Sequence, residues 1–244
     1  MTDLHSADHT SVCQWLHEQL EQRELIRFPF DLEGLPRNGI YFFYEAGETW
    51  GHGGDYPRIV RVGTHREGNF RSRMADHYVI DEQKMNFNRN QAAPKDRSIF
   101  RKNIGRALLH RDRDSYEALW NIDFTTRASR EANGFRRDVE KEKQIEDQVT
   151  RILRERFAFR WIELEGEGRR MGSQGLEAVL IGTLARCGEC SPSSNWLGRF
   201  SPKPKIAQNG LWLEQHLQAL EVTEDRMKEI RALLGKHRPE LPLL

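Results

Sequence analysis

The sequence lacks any apolar run of the roughly 18–20 residues that a bilayer-spanning helix requires. Its N-terminus shows neither the basic start nor the apolar stretch of a secretory signal. It also lacks an excess of one charge, because 38 lysines and arginines stand against 37 aspartates and glutamates, for a net charge of +1. We therefore expect a cytoplasmic protein without membrane segments, and the net charge itself gives no indication of nucleic acid.

Cysteine is scarce, with three in 244 residues. An odd number without a signal peptide argues against a disulfide framework. Cys187 and Cys190 form a C-x-x-C pair, and Cys13 lies far away in the sequence. A structural zinc site needs four ligands, and no second pair accompanies this one. The sequence therefore favours ordinary reduced thiols over metal or redox chemistry.

Three runs are typical of β-strands. Residues 39–45 and 58–63 are apolar, aromatic and β-branched, and a glycine-rich link between them predicts an antiparallel hairpin. Residues 157–165 form the third run. Helices are predicted at 69–78 and 176–184. The order of these elements predicts an α+β fold with a small, mostly antiparallel three-stranded sheet flanked by helices.

The remaining chain divides around this core. We predict five segments: an N-terminal helical segment at 1–37, a first core part at 38–78, a helical insertion at 79–156, a second core part at 157–200, and a C-terminal helical pair at 201–244. Within the last segment, the two prolines in 201–210 indicate a connector, and helices are predicted at 211–220 and 224–234.

Two triplets carry the clearest motif, Gly39-Ile40-Tyr41 and Arg61-Val62-Gly63. Further along come an arginine and a histidine four residues apart, a glutamate in an apolar helix, and an asparagine in a Pro/Ser loop. This order resembles the GIY-YIG nuclease superfamily, over 38–78 and 157–200, about a third of the chain. The resemblance implies a three-stranded sheet flanked by helices and metal-dependent cleavage of DNA.

The resemblance also implies roles for the first residues of the motif. Tyr41 would position or deprotonate the attacking water. Arg61 stands where the family has a tyrosine, and because arginine cannot act as a base, it would bind phosphate or lower the pKa of Tyr41. Arg73 would contact the scissile phosphate through its planar fork. His77 would hydrogen-bond the phosphate or assist proton transfer.

Two later residues complete the implied site. Glu177 would be the direct ligand of Mg²⁺ or Mn²⁺, which keeps several waters and recruits phosphate oxygens. Asn195 would organise the site by hydrogen bonds. Each residue also has a commoner structural explanation. Tyr41 can be a core tyrosine, Arg73 and His77 can lie on a solvated helix face, Glu177 can face water, and Asn195 can be a turn residue. Only the shared order of these residues favours a role in catalysis.

The insertion has a local basic bias, which suits contact with phosphates. The residues that we expect to bind DNA are Lys95, Arg97, Arg101, Lys102 and Arg106. Nearby amides, at Asn86, Asn88, Asn90 and Gln91, can read base edges, especially adenine. The alternative is an ordinary solvated helical face, which is the usual meaning of a charge run.

The sequence predicts a metal-dependent endonuclease acting on double-stranded DNA, most like the restriction enzymes of the superfamily. Cutting two strands takes two active sites, which suggests a homodimer. Two alternatives stay open. One is a repair or recombination nuclease that recognises DNA structure. The other is a DNA-binding protein whose site has lost its chemistry, as Arg61 in place of the tyrosine would indicate.

Overall fold

The computed structural model describes residues 6–235, with side chains from residue 11 onward. Its sheet has four strands: β1 (Ile26–Arg27), β2 (Gly39–Thr49), β3 (Pro57–Gly63) and β4 (Phe157–Glu163). The strands are ordered β1-β4-β2-β3, and every neighbouring pair is antiparallel. The predicted α+β fold with a small antiparallel sheet is confirmed. The two-residue strand β1 enlarges the predicted three-stranded sheet to four.

Helices surround this sheet. They are α1 (Ser6–Glu21), α2 (Phe70–Tyr78), α3 (Pro94–Arg97), α4 (Ile99–Arg111), α5 (Glu117–Trp120), α6 (Arg127–Asn133), α7 (Val139–Arg156), α8 (Glu167–Arg170), α9 (Leu176–Arg186), α10 (Pro204–Asn209) and α11 (Glu224–Gly235). Short 3-10 helices occur at Glu82–Met85, Gly134–Arg136 and Leu197–Phe200. Within the described part of the chain, every helix is too short or too polar to cross a membrane.

The central strand β2 separates two hydrophobic cores. Side chains alternate across a strand, so Tyr41 and Phe43 face one side while Ile40 and Phe42 face the other. The Tyr41 side is covered by helices α2, α4 and α7. The opposite side is covered by α1, α9 and α11. The sheet is therefore the middle layer of three, and each helical layer carries part of the candidate site.

The segment predicted as an insertion, 79–156, contains only helices within the described chain. It packs as a layer of the fold: Phe100 and Ile104 of α4 and Val149 of α7 share one core with Tyr41 and Phe43. Its longest helices therefore form the wall behind the Tyr41 side of the sheet. The outermost parts of the predicted terminal segments, 1–5 and 236–244, lie outside the described residues.

A β-bulge at Val60 decides which side chains of β3 face that wall. Tyr44 pairs with Ile59, whereas Phe43 pairs with Arg61, so Val60 is an extra residue between two pairs. A bulge re-aims the side chains that follow it. Without it, Arg61 would lie opposite Phe42 and face the other core. With it, Arg61 faces the same side as Tyr41.

The prediction of a helix at 211–220 is wrong. These residues form an irregular segment that runs along β3, where the Trp212 N–H donates to the Val60 carbonyl at 2.8 Å. Leu211 and Trp212 are buried against the sheet, and the Trp212 indole N–H donates to Glu45 at 3.1 Å. Burial of these apolar residues against the sheet therefore outweighs their helix-like spacing in the sequence. Helix α10 instead occupies part of the predicted connector, while α11 forms where the second helix was expected.

Candidate active site

Tyr41 lies at the centre of the candidate site. It sits on β2 with 1% of its surface exposed, and its hydroxyl oxygen is 3.2 Å from Nε2 of His77. Gly63 is its direct partner on β3. A Cβ at Gly63 would lie 2.4 Å from the Tyr41 hydroxyl oxygen, so only glycine leaves room for this ring. The last residues of the two triplets therefore act as one unit.

His77 holds Tyr41 from helix α2. It is fully buried, and its Nδ1 lies 2.7 Å from the hydroxyl of Ser98, the N-cap residue of α4. Burial, and then the positive charges of Arg73, Arg61 and Arg101, lower the pKa of His77 well below its ordinary value. The imidazole is therefore neutral, with one nitrogen donating and the other accepting. That state suits a hydrogen-bonded chain from Tyr41 through His77 to Ser98.

Arg61 is buried in the same core. Its guanidinium lies over the Phe100 ring at 4.9 Å and donates to the Trp212 carbonyl at 2.5 Å. Among the described residues, its Nε has no hydrogen-bond partner. Burial lowers the pKa of Arg61, and the neighbouring Tyr41 and Glu177 act in the opposite direction. The guanidinium is a fixed positive charge within electrostatic range of both the phenol and the carboxylate.

Glu177 lies in the first turn of helix α9 and reaches toward the end of β3. One of its carboxylate oxygens accepts the backbone N–H of Thr64 at 3.1 Å, and no other described residue donates a hydrogen bond to it. Burial raises its pKa, and the charges of Arg61 and His216 work against that shift. Glu177 is thus a carboxylate on an otherwise apolar helix, as the sequence predicts. Its second carboxylate oxygen makes no hydrogen bond within the described chain.

Arg73 lies on α2, beside an open cleft. Its Nη1 donates to the Arg97 carbonyl at 2.6 Å, which fixes the guanidinium at the edge of α3. The cleft is lined by Thr64, His65, Arg66, Asn69, Ser72, Arg73, Asp76 and Met171. It is a polar channel with two arginines, and its Thr64 rim touches Glu177. A phosphate in this cleft would meet the guanidinium fork of Arg73, with the Glu177 carboxylate behind the Thr64 rim.

Asn195 is not brought into this group. It is exposed in the loop before the 3-10 helix Leu197–Phe200, and no hydrogen bond of the described residues connects it to Tyr41 or Glu177. Three contacts escaped the sequence reading: Ser98 at His77, Thr64 at Glu177, and His216 within electrostatic range of Glu177. They come from separate segments that only the fold brings together, so no local signal could have revealed them.

Four of the five residues expected to bind DNA are buried, which corrects that expectation. Lys95 and Arg101 are 1% and 0% exposed, and they form ion pairs with Asp96 and Glu146. The other two buried cations, with their partners, are Lys102 beside Asp96 and Arg106 beside Asn103, Asn121 and Glu214. These cations are engaged with carboxylates and amides of the protein itself and are not exposed for contact with DNA. Arg97 is the one of the five that is exposed.

A second groove adjoins Arg97. It is lined by Gln83, Lys84, Asn86, Phe87, Asn90, Gln91, Ala92, Pro94, Arg97, Thr125 and Arg130. It therefore contains three of the amides expected to read base edges. Two contacts join it to the cleft at Arg73, the Arg73–Arg97 hydrogen bond and the Lys84–Asp76 ion pair at 2.7 Å. The two polar surfaces are thus neighbours.

A family model described as the GIY-YIG domain matches residues 5–238. The chain therefore belongs to the GIY-YIG domain family, a domain that implies a nuclease with DNA as its substrate. The match covers nearly the whole chain, including the N-terminal helix, the helical layer and α11, and so extends well beyond the third that the motifs alone indicated. Neither the search of curated proteins nor the search of solved structures found a match.

Proposed function

We propose that this protein is a metal-dependent, sequence-specific DNA endonuclease of the restriction type, which hydrolyses phosphodiesters with Glu177 as the ligand of Mg²⁺ or Mn²⁺. The observation that carries the proposal is the convergence of Tyr41, His77, Arg61 and Glu177 on one end of the sheet, beside a cleft that holds Arg73. A cytoplasmic location, where such an enzyme meets its DNA, belongs to the same proposal.

The donor set suits a hard divalent cation. Glu177 offers an oxygen that no described residue uses, and Mg²⁺ is commonly held by one or two carboxylates with water and phosphate oxygens. Burial raises the pKa of Glu177, so an added positive charge would stabilise its ionised form. A bound divalent cation would supply charge neutralisation at the phosphate. The known nuclease class of the family supports the same assignment.

The surrounding residues have separate roles in this proposal. Neutral His77 accepts a hydrogen bond from the Tyr41 phenol across the 3.2 Å contact, which orients the phenol oxygen toward the attacking water. The buried charge of Arg61 stabilises negative charge that develops on that oxygen during the reaction. Arg73 holds the scissile phosphate, since its remaining guanidinium nitrogens make no hydrogen bond within the described chain.

The groove at Arg97 is our proposed surface for reading DNA sequence. It combines exposed amides, which pair with base edges, with cations that contact phosphates. The Arg73–Arg97 hydrogen bond places it next to the catalytic cleft. This assignment replaces the buried cations of α3 and α4 as the expected DNA contacts.

The first experiment compares wild type, Glu177→Gln and Glu140→Gln on plasmid and genomic DNA, with Mg²⁺ and with EDTA. Glu140 is a matched control because its side chain is 81% exposed and lies on α7, away from the cleft. We expect discrete fragments from wild type and Glu140→Gln with Mg²⁺, and none from Glu177→Gln or with EDTA. Cutting that is unaffected by Glu177→Gln would contradict the assigned metal ligand.

The form of the products separates the alternatives. Discrete fragments establish a sequence-specific enzyme and give its site. Metal-dependent nicking without discrete bands favours a structure-directed repair nuclease, and flaps and branched junctions would then be cut faster than linear duplex. DNA binding without any cutting would mean a site that has lost its chemistry. Simultaneous cleavage of both strands by a species of twice the chain mass would support the homodimer.

A second experiment tests the DNA surface. Arg97→Ala is compared with Lys228→Ala, an exposed cation on α11 whose side chain pairs only with Asp225 in the described chain. We expect Arg97→Ala to weaken DNA binding and to lower the slope of log affinity against log salt by about one. Lys228→Ala should leave both unchanged. Equal behaviour of the two variants would exclude the groove as a DNA contact.

A further inference from the structure

The fold gathers three thiols and an imidazole at the end of α9 opposite to the turn that carries Glu177. Its members are Cys13 on α1, His52 in the β2–β3 loop, and Cys187 and Cys190 directly after α9. We call these four residues the Cys3His cluster. Their ligand atoms all lie within 4.8 Å of one another. The cysteines are free thiols, and none of the four has a role in the proposed hydrolysis.

The spacing inside the Cys3His cluster is that of a tetrahedral metal shell. Cys13 Sγ and Cys190 Sγ are 3.9 Å apart. His52 Nε2 lies 3.5 Å from the Cys187 sulfur and 3.3 Å from the Cys190 sulfur. A tetrahedron with Zn–S bonds near 2.3 Å and Zn–N bonds near 2.0 Å has S···S edges of about 3.8 Å and S···N edges of about 3.5 Å. A disulfide would need sulfurs at about 2.05 Å and has no use for the histidine.

The two loops that carry His52 and the C-x-x-C pair are closely fitted. Gly51, the neighbour of His52, passes so near the turn between Cys187 and Cys190 that a Cβ on it would lie 1.8 Å from the Glu189 carbonyl oxygen. Glycine at this position therefore lets the β2–β3 loop bring His52 up to the thiols.

His17 contacts Cys13, one of the four residues of the cluster, on the same helix. It is 1% exposed, and its Nε2 accepts the Ile59 N–H at 3.2 Å, so Nδ1 carries the proton. That Nδ1 donates to the Cys13 carbonyl at 2.9 Å and lies 3.6 Å from the Cys13 sulfur. A buried hydrogen-bond partner that orients a ligand is what metal sites have in their outer shell.

We infer that the Cys3His cluster is a structural zinc site. Three thiolates and one imidazole are a preferred set for Zn²⁺, and four protein ligands leave no open position for catalysis. The ion would join helix α1, the β2–β3 loop and the end of α9, the helix whose first turn carries Glu177. The site would thus fix one end of the catalytic helix without taking part in its chemistry.

Metal content tests this inference independently of nuclease activity. The full chain, purified without a metal-binding tag and without chelator, should contain one zinc per chain by mass spectrometry of the elements. Cobalt(II) introduced in its place should give the intense thiolate-to-metal absorption of a tetrahedral site. His52→Ala and Cys187→Ser should lose the zinc. His110→Ala, which removes a half-exposed histidine that pairs with Glu117, should keep it.

Glu177→Gln should also keep the zinc, which distinguishes this site from the proposed magnesium site even if the protein cuts no DNA. Should the cysteine variants fail to fold, wild type still decides: a mercurial thiol reagent should release zinc in step with the three thiols. A wild-type protein that contains no zinc and takes up neither zinc nor cobalt would overturn the inference. So would a disulfide joining Cys187 to Cys190 in the native chain.

Discussion

Gly63 lies directly opposite Tyr41 in the β2–β3 ladder, and the Tyr41 ring fills the space that any side chain at position 63 would need. The tyrosine of the first triplet and the glycine of the second are thus a single packing unit. This relationship explains why the motif needs glycine at this point of the strand, where the φ angle itself imposes no such demand.

Gly63→Ala should therefore damage the site with little effect on the rest of the fold. The added methyl group would meet the Tyr41 hydroxyl and ring at about 2.4 Å and displace the ring from His77. We expect a loss of cleavage and a destabilisation of about 1–3 kcal/mol, as for other overpacked cores. Gly168→Ala is the control, since a Cβ there meets nothing within 4 Å. Normal cutting by Gly63→Ala would refute the packing argument.

His77 should make the fold sensitive to acid. Its pKa in the folded state is lowered, chiefly by burial, so below about pH 6.5 His77 is protonated in the unfolded chain and stays neutral in the folded chain. The stability that neutral His77 contributes is therefore fully present above that pH. It is lost as the pH falls, by up to about 1.4 kcal/mol per pH unit. Other buried histidines share this behaviour, so His77 must be isolated by difference.

The difference between wild type and His77→Gln provides that isolation, because glutamine does not titrate. Urea unfolding at several values between about pH 7.5 and about pH 5 should show the wild-type free energy falling more steeply than that of His77→Gln. Parallel profiles would mean that His77 takes up its proton in the folded state as readily as in the unfolded state. That result would contradict a neutral imidazole hydrogen-bonded between Tyr41 and Ser98.

Arg61 should affect rate and stability in opposite ways. Arg61→Met removes a buried guanidinium whose Nε is unpaired among the described residues, so we expect the unfolding free energy to hold or rise. The cleavage rate should fall by about 10²–10³, because a fixed charge beside the phenol is lost. Single-turnover cleavage and urea unfolding measure the two effects. An unchanged rate would show that Arg61 is only a structural substitute for the family tyrosine.

Substituting Arg101 should lower the stability of the fold, whereas substituting Arg97 should weaken DNA binding alone. Arg101 is fully buried and donates to the Glu146 carboxylate at 2.6 Å and to the His77 carbonyl at 3.0 Å. Arg101→Ala leaves that carboxylate short of its partner and should cost about 3–5 kcal/mol of unfolding free energy. Arg97→Ala should change stability by less than about 0.5 kcal/mol, because the side chain is exposed. Similar losses in both variants would argue against this division.

The basic stretch of the insertion shows where sequence reading reached its limit. Lysines and arginines at one locality look alike whether they meet solvent or carboxylates. Lys95 and Arg101 pair with Glu142 and Glu146, which lie on α7; Arg101 and Glu146 are 45 residues apart in the chain. The Cys3His cluster escaped for the same reason, because Cys13 and His52 come from segments with no sequence relation to the C-x-x-C pair.

The sequence by itself determined the three main strands, helices α2, α9 and α11, and the nuclease class, since strand alternation, glycine links and the two triplets are properties of neighbouring residues. It placed Tyr41, His77 and Glu177 on the correct elements. Only the tertiary structure decided which side of the sheet Arg61 faces, which cations are buried, and which thiols meet a histidine. Those outcomes depend on a one-residue bulge and on contacts between distant segments, and both are set by the packing of the whole chain.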